Sequence, residues 1–244
     1  MKIFLNLSAC FALFIFCEGV CAQSLEVEYE ESWETVIQMN INGSLETHKS
    51  LLTQNMVLLC NNGISLYESL SLYKGNMGKS QNVGEVSGIQ LTMETDDSKI
   101  YKNQIDNEFI TEESIFDRKF LVMDTMKVFG WNLLNEDAEI NGYKCKKAVT
   151  GDTIVWYSPD VPVNNGPGIF WGLPGLIIKI QYLNTTITAT KINWLEDVNL
   201  IIEKPEKGKK ITRGKFDKLY EKKHRQRGNT PQTRVSLDVE ITPE

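Results

Sequence analysis

The side chains in this sequence that could do chemistry are few. They are His48 and His224, the thiols Cys60 and Cys145, the glutamates Glu26, Glu28 and Glu30, and a set of aromatics. Zinc chemistry needs ligands at short spacing, as in HExxH, and each of the two histidines stands alone. No GxSxG elbow, phosphate-binding glycine loop or dinucleotide fingerprint occurs. The sequence thus assigns no catalytic residue, no metal ligand and no cofactor. Glu26, Glu28 and Glu30 alternate with Leu25, Val27 and Tyr29, so they share one face of a strand. That face reads as solvated, although it could also attract a cation. Cys145 lies between Lys144 and Lys146, which could lower its pKa. Strand alternation points the thiol away from both lysines, toward a core. Asp160 follows Pro159 and reads as a capping carboxylate in a turn.

The aromatic set is Trp131, Tyr143, Trp156, Tyr157, Phe170 and Trp171. Neighbours on a strand face opposite sides of its sheet, so one of Trp156 and Tyr157 belongs to a core. The other packs under the loop from Gly166 to Gly175 or lines a cavity.

These residues must be positioned by the stretch from Gly166 to Ile180. Leu173-Pro174-Gly175-Leu176 predicts a type II turn, with proline at the second place and glycine at the third. Leu176 to Ile180 then reads as a strand buried on both faces. Further strands are predicted over 25–30, 49–60, 64–68, 99–104, 107–111, 119–124, 131–137, 143–150, 153–157, 176–183 and 186–195. Asn42-Gly43 and Asn141-Gly142 are hairpin turns. Residues 69–98, rich in Gly, Ser and Asn, read as a long mobile loop with one strand near Val86 to Met93. One helix is predicted over about 213–227, with Thr212 as its cap, Phe216, Leu219 and Tyr220 as its apolar stripe, and Gly228 as terminator. No crossover helices separate the strands. The fold class is mainly β: a single domain of curved antiparallel sheet, half-barrel or meander, with one C-terminal helix.

The compartment is read from the leader. Met1-Lys2, an apolar run from Ile3 to Cys17, and Val20-Cys21-Ala22 form a signal peptide over residues 1–22. The run is shorter than the roughly 20 residues that span a bilayer. A lipid anchor on Cys21 is disfavoured by the charge of Glu18. Cleavage leaves Cys60 and Cys145, which in an exported chain could pair across a loop of about 85 residues, worth roughly 4–5 kcal/mol. The alternative is two small buried hydrophobes. The mature chain divides into a β domain over 23–202 and a basic tail over 203–244, packed on or appended to it. The chain carries a net charge of −6, yet from Glu203 onward 12 Lys/Arg face 7 Asp/Glu. Such a tail docks on its own acidic body or meets an anionic surface, and export with an acidic body speaks against nucleic acid.

Gly172-Leu173-Pro174-Gly175-Leu176-Ile177 spells the motif of the GLPGLI family, exported proteins of Gram-negative bacteria. The chain resembles that family over roughly Lys99 to Leu195. The resemblance runs through Trp131, Ile140 to Ala148, Val155 to Pro162 and Gly166-Pro167. It implies an antiparallel β protein of the cell envelope with no established activity, and no catalytic role for the motif. Cys145 matches the family's cysteine and Cys60 matches none. Two functions follow as expectations. The first is a non-enzymatic binding or carrier module for an apolar molecule, a lipid or an envelope partner. The second is an envelope hydrolase, or its accessory domain, using carboxylates.

Overall fold

The computed structural model describes residues 24–41, 44–73, 80–86, 89–95, 99–116, 118–195, 200–226 and 235–239. The leader and the Asn42-Gly43 turn lie outside them. β1 (Ser24–Ile41) and β2 (Ser44–Asn61) pair antiparallel from Leu25↔Cys60 out to Ile41↔Ser44. Asn62 and Gly63, at φ +48° and +75°, turn the chain into β3 (Ile64–Ser69). Asparagine and glycine tolerate that left-handed conformation best. One helical turn follows, α1 (Leu70–Tyr73). Next comes the hairpin of β4 (Ser80–Val86) and β5 (Ile89–Thr95), which touches β2 at Thr53↔Val83. This hairpin replaces most of the predicted long loop. Its glycines and serines mask the alternation that pairing imposes.

The remaining strands are short, as the sequence predicts. They are β6 (Ile100–Asn103), β7 (Glu108–Ile115), β8 (Arg118–Thr125), β9 (Asn132–Ile140), β10 (Tyr143–Thr150), β11 (Thr153–Ser158), β12 (Leu176–Tyr182) and β13 (Thr185–Leu195). The tail contributes β14 (Lys209–Thr212), the helix α2 (Arg213–Gln226) and β15 (Val235–Val239). The principal order is β14-β8-β7-β6-β3-β2-β1-β13-β12-β11-β10-β9. β13 returns to lie against β1, Ser24↔Leu195, and so joins the two halves of the chain into one open sheet. Two contacts are parallel, β14 on β8 and β15 on β1. The sheet is therefore mixed, and both departures from the antiparallel expectation come from the tail.

Cross-strand alternation sorts the side chains. Leu25, Val27 and Tyr29 point to the inner face with Met56, Leu58 and Tyr67, and they meet Ile177, Ile178 and Ile180 in the main core. The outer face of β3 and β6–β8 holds a second cluster of Leu66, Tyr101, Ile110 and Leu121, packed by Ile202. Phe216 of α2 is buried edge-on against Phe120, 5.6 Å between centroids, which docks the tail helix on β8. Arg213 reinforces it with hydrogen bonds to Glu113 (2.6 Å) and Thr111 (2.8 Å).

Residues 159–175 lie across the inner face as a loop. Its final bend is tighter than the predicted type II turn. The Gly175 N–H donates to the Leu173 carbonyl at 2.8 Å, a three-residue turn around Pro174, while the Leu176 N–H goes to Val161 O at 2.9 Å. Leu176, Ile177 and Ile178 are fully buried, covered on both sides of the strand.

Cys60 and Cys145 are separate thiols, both buried. The bridge considered from the sequence is not formed. β1, β13, β12 and β11 stand between the two cysteine-bearing strands. Burial pushes the Cys60 thiol up to about 12, against a lowering by Lys102. It pushes Cys145 up to about 11. Neither is a thiolate nucleophile near neutrality.

Candidate functional site

The inner face of the sheet forms one side of a cavity of about 690 Å³ that is open to solvent. Alternation explains what lines it. The face that carries Leu25, Val27 and Tyr29 next presents Glu31, which sits opposite Gln54 on β2 and Ile187 on β13. Tyr67 sits opposite Ile100 in the same way. These side chains reach the cavity together with Met56. The loop residues Gly168, Ile169 and Phe170 form another wall, and residues 127–130 and 150–153 the rest.

An aromatic strip runs along one side. Trp131 stacks on Phe129 at 5.1 Å, Phe129 meets Phe170 at 5.5 Å, and Phe170 meets Tyr182 at 5.4 Å. Lys127 lays its ammonium over the Phe129 ring, 5.0 Å from the centroid. Val128 and Leu183, at 84% and 92% exposure, leave large apolar groups in water beside the cavity.

The polar groups of the cavity are fewer and more constrained. The Gln54 amide donates to Glu31 Oε2 at 3.2 Å. No ion pair reaches Glu31 among the described residues. Burial raises its pKa, which the Gln54 hydrogen bond partly offsets. Tyr67 is 3% exposed and its hydroxyl has no hydrogen-bond partner among the described residues. Burial holds its pKa well above the ordinary value, and the nearby Glu31, Tyr29 and Tyr182 add to that. Tyr182 is raised too, by burial first and Glu31 next. In contrast, Tyr29 is satisfied, donating to Ile177 O at 2.7 Å.

Lys102 fixes the loop that walls the cavity. It is fully buried, and its ammonium donates to the carbonyls of Gly166 (2.7 Å) and Phe170 (3.3 Å). Desolvation lowers its pKa to about 7, with a small opposing effect of Cys60. Gln104 donates to Asn164 O, and the Trp131 and Trp171 indoles donate to Trp171 O and Lys127 O. A side chain at Gly166 would lie 2.7 Å from Ile177 Cβ, so this approach of loop to strand requires glycine.

Among the residues singled out in the sequence, Phe170 lines the cavity. Trp131 and Trp171 are half-buried and pin the loop around it. Tyr157 is in the core; Tyr143 and Trp156 pack partly against it, with Lys147 over the Trp156 ring at 5.6 Å. Gly166, Pro167, Leu173, Gly175, Leu176 and Ile177 are buried, while Gly172 and Pro174 are exposed. None of these eight lines the cavity. Cys145 is buried with Lys144 and Lys146 exposed on either side. The side chains of His48 and His224 are outside the described set. Among the described residues no group of three or more metal-ligating side chains converges.

The sequence reading missed Glu31, Tyr67, Tyr182 and Lys102. The signal for two of them was present. Glu31 continues the inward series of Leu25, Val27 and Tyr29, and Lys102 continues that of Ile100. Both were passed over because charged types are normally exposed.

A second, outer-face cleft of about 1090 Å³ lies under residues 200–207. Two of its carboxylates are matched with lysines, Glu68 with Lys99 and Glu112 with Lys119, and Glu203 and Glu206 line it as well.

A family model described as a protein of unknown function (Porph_ging) matches residues 150–179. This is the segment from β11 through the loop into β12. A comparison with curated proteins gives no match. Two solved structures of PNGF-II, in different crystal forms, resemble the fold over 83% of this chain, with TM-score 0.54 and 16% identity. The chain spans 34% of the PNGF-II chain's length, and the likeness is one of fold. The chain is thus an open, mostly antiparallel β protein, and its loop segment matches a family of unknown function.

Proposed function

We propose that this chain is an exported cell-envelope protein of the GLPGLI family, and that it works as a non-enzymatic binding or carrier module. Its inner cavity takes an apolar small molecule. The observation that carries the reading is a 690 Å³ cavity with mainly aromatic and aliphatic walls, lined in part by Tyr67, whose buried hydroxyl has no hydrogen-bond partner among the described residues. Ligand pockets are of this size and composition, apolar with a few polar groups that orient the guest. A buried polar group left unsatisfied costs about 1–3 kcal/mol, which a ligand atom at that place removes.

The hydrolase reading gains nothing comparable. It needs two carboxylates free to act in one cleft. Glu31 and Asp152 both line the inner cavity, but Glu31 is tied to the Gln54 amide and Asp152 is exposed, while Glu68, Glu112, Glu108 and Glu113 are each paired with a lysine or arginine. The basic face of α2, with Lys215, Lys218, Lys222 and Lys223 exposed, is left for an anionic surface or an envelope partner.

The test is native mass spectrometry of protein purified from its own host, followed by solvent extraction. A stoichiometric apolar adduct, released on denaturation, is expected. A ligand-free protein that also fails to take up an environment-sensitive apolar dye saturably would overturn the reading.

A further inference from the structure

Resting on the binding reading above, we infer that the cavity selects an apolar molecule bearing a protonated amine, with the ammonium held between the Glu31 carboxylate and the Tyr67 hydroxyl. Three observations converge on a cation.

The first is charge. Glu31 stands on the inner wall with one carboxylate oxygen bonded to the Gln54 amide and no cation paired to it among the described residues. A partly buried carboxylate without a counter-charge is costly, and an entering ammonium supplies one. The other ionic groups lining the cavity are Lys127 and Asp152, both exposed. Lys127 is engaged on the Phe129 ring. The lining therefore carries one positive against two negative groups. A fatty acid would set a second carboxylate against Glu31, and a neutral lipid would leave Glu31 uncompensated.

The second is hydrogen-bonding capacity. An ammonium has three donors and no acceptor. Tyr67, buried and unpartnered, offers an oxygen that can accept, and it lies within the field of Glu31.

The third is the wall. Tyr67, Tyr182 and Phe170 present ring systems around the same space. Aromatic faces attract cations, the more so where water is excluded. The aliphatic part of the ligand then lies along Met56, Ile100 and Ile187.

The experiment is calorimetric titration of the full mature chain with three probes of equal chain length: decylamine, decanol and decanoate. Wild type should bind decylamine about tenfold or more tightly than either other probe, a difference of roughly 1.4 kcal/mol or more. In Glu31→Gln, which keeps the Gln54 contact sterically feasible, the preference for decylamine over decanol should disappear. Equal binding of all three probes, preference for decanoate, or a preference for the amine that persists in Glu31→Gln would each overturn the inference and leave the binding reading intact. Absence of saturable binding by any probe sinks both. If Glu31→Gln does not fold, Tyr67→Phe decides. A selective loss of about threefold or more for decylamine supports the inference, and no loss overturns it.

Discussion

A Cβ atom placed on Gly175 would lie 2.2 Å from the carbonyl oxygen of Ser158. Gly175 also has φ +151°, a conformation that side-chain-bearing residues rarely adopt. The two restraints act at the point where the loop becomes β12. Gly175→Ala should therefore destabilise the protein by roughly 3 kcal/mol or more, since strain and overlap add. Pro174 is exposed and constrains only its own φ. Pro174→Ala should cost about 1 kcal/mol or less. Urea unfolding of both variants checks the ranking, and equal midpoints would refute this account of the motif.

The buried Lys102 makes a prediction about pH. Its folded pKa of about 7 lies below the ordinary 10.5, so the unfolded chain binds more protons between these values. Stability from this group therefore rises with pH through that window and is lowest below pH 7. Cys60 and Cys145 act in the opposite direction, but only above their ordinary 9.0. From pH 7 to 9, wild type should gain a few kcal/mol relative to Lys102→Met. Parallel denaturation curves for the two proteins over this interval would contradict it.

Glu31 titrates with the opposite consequence for the empty protein. Its pKa is raised by burial from 4.5, so the fold favours the neutral carboxyl, and stability declines as pH rises above the ordinary value. The charge of Glu31 in turn raises Tyr67 and Tyr182, which are neutral over this range, and Lys127 and Asp152 line the same cavity. Glu31→Gln should raise the melting temperature of the ligand-free protein at neutral pH and flatten its profile just above pH 4.5. Scanning calorimetry at several pH values is the measurement.

Tyr67 separates stability from binding. Removing its unpartnered hydroxyl deletes a desolvated group and no hydrogen bond. Tyr67→Phe should leave the free protein unchanged or more stable by up to about 1 kcal/mol. A clear loss of stability would mean that the hydroxyl already has a partner.

The docking of α2 centres on one ring, with Arg213 and the β14–β8 pairing beside it. Phe216 is 3% exposed between Phe120 and the rest of α2. Phe216→Ala should release the helix at a cost of about 3 kcal/mol or more. Limited proteolysis should then cut near Lys215 and Lys218 in the variant well before wild type.

Much of the fold was legible because its signals are local. Asn141 and Gly142 adopt φ +50° and +83°, which their types favour, and the strands on either side follow from alternation. The hairpin of β4 and β5 was hidden because its composition resembles a loop. The Pro174 bend was read as the commoner turn, since nothing local shows that Val161 O would capture the Leu176 N–H. The cavity was illegible for a different reason. Glu31, Tyr67 and Phe170 come from two strands and a loop distant in sequence, and only the register of the whole sheet brings them together.

Lys102 grips the loop by the carbonyls of Gly166 and Phe170, groups that every amino acid possesses. The attachment is indifferent to what Ile169 is, although it lines the cavity, whereas Gly168 beside it sits at φ +56°, a conformation that favours glycine. Under the binding reading, a substitution at Ile169 would thus reshape the cavity wall while the clasp and the strand behind it stay as they are.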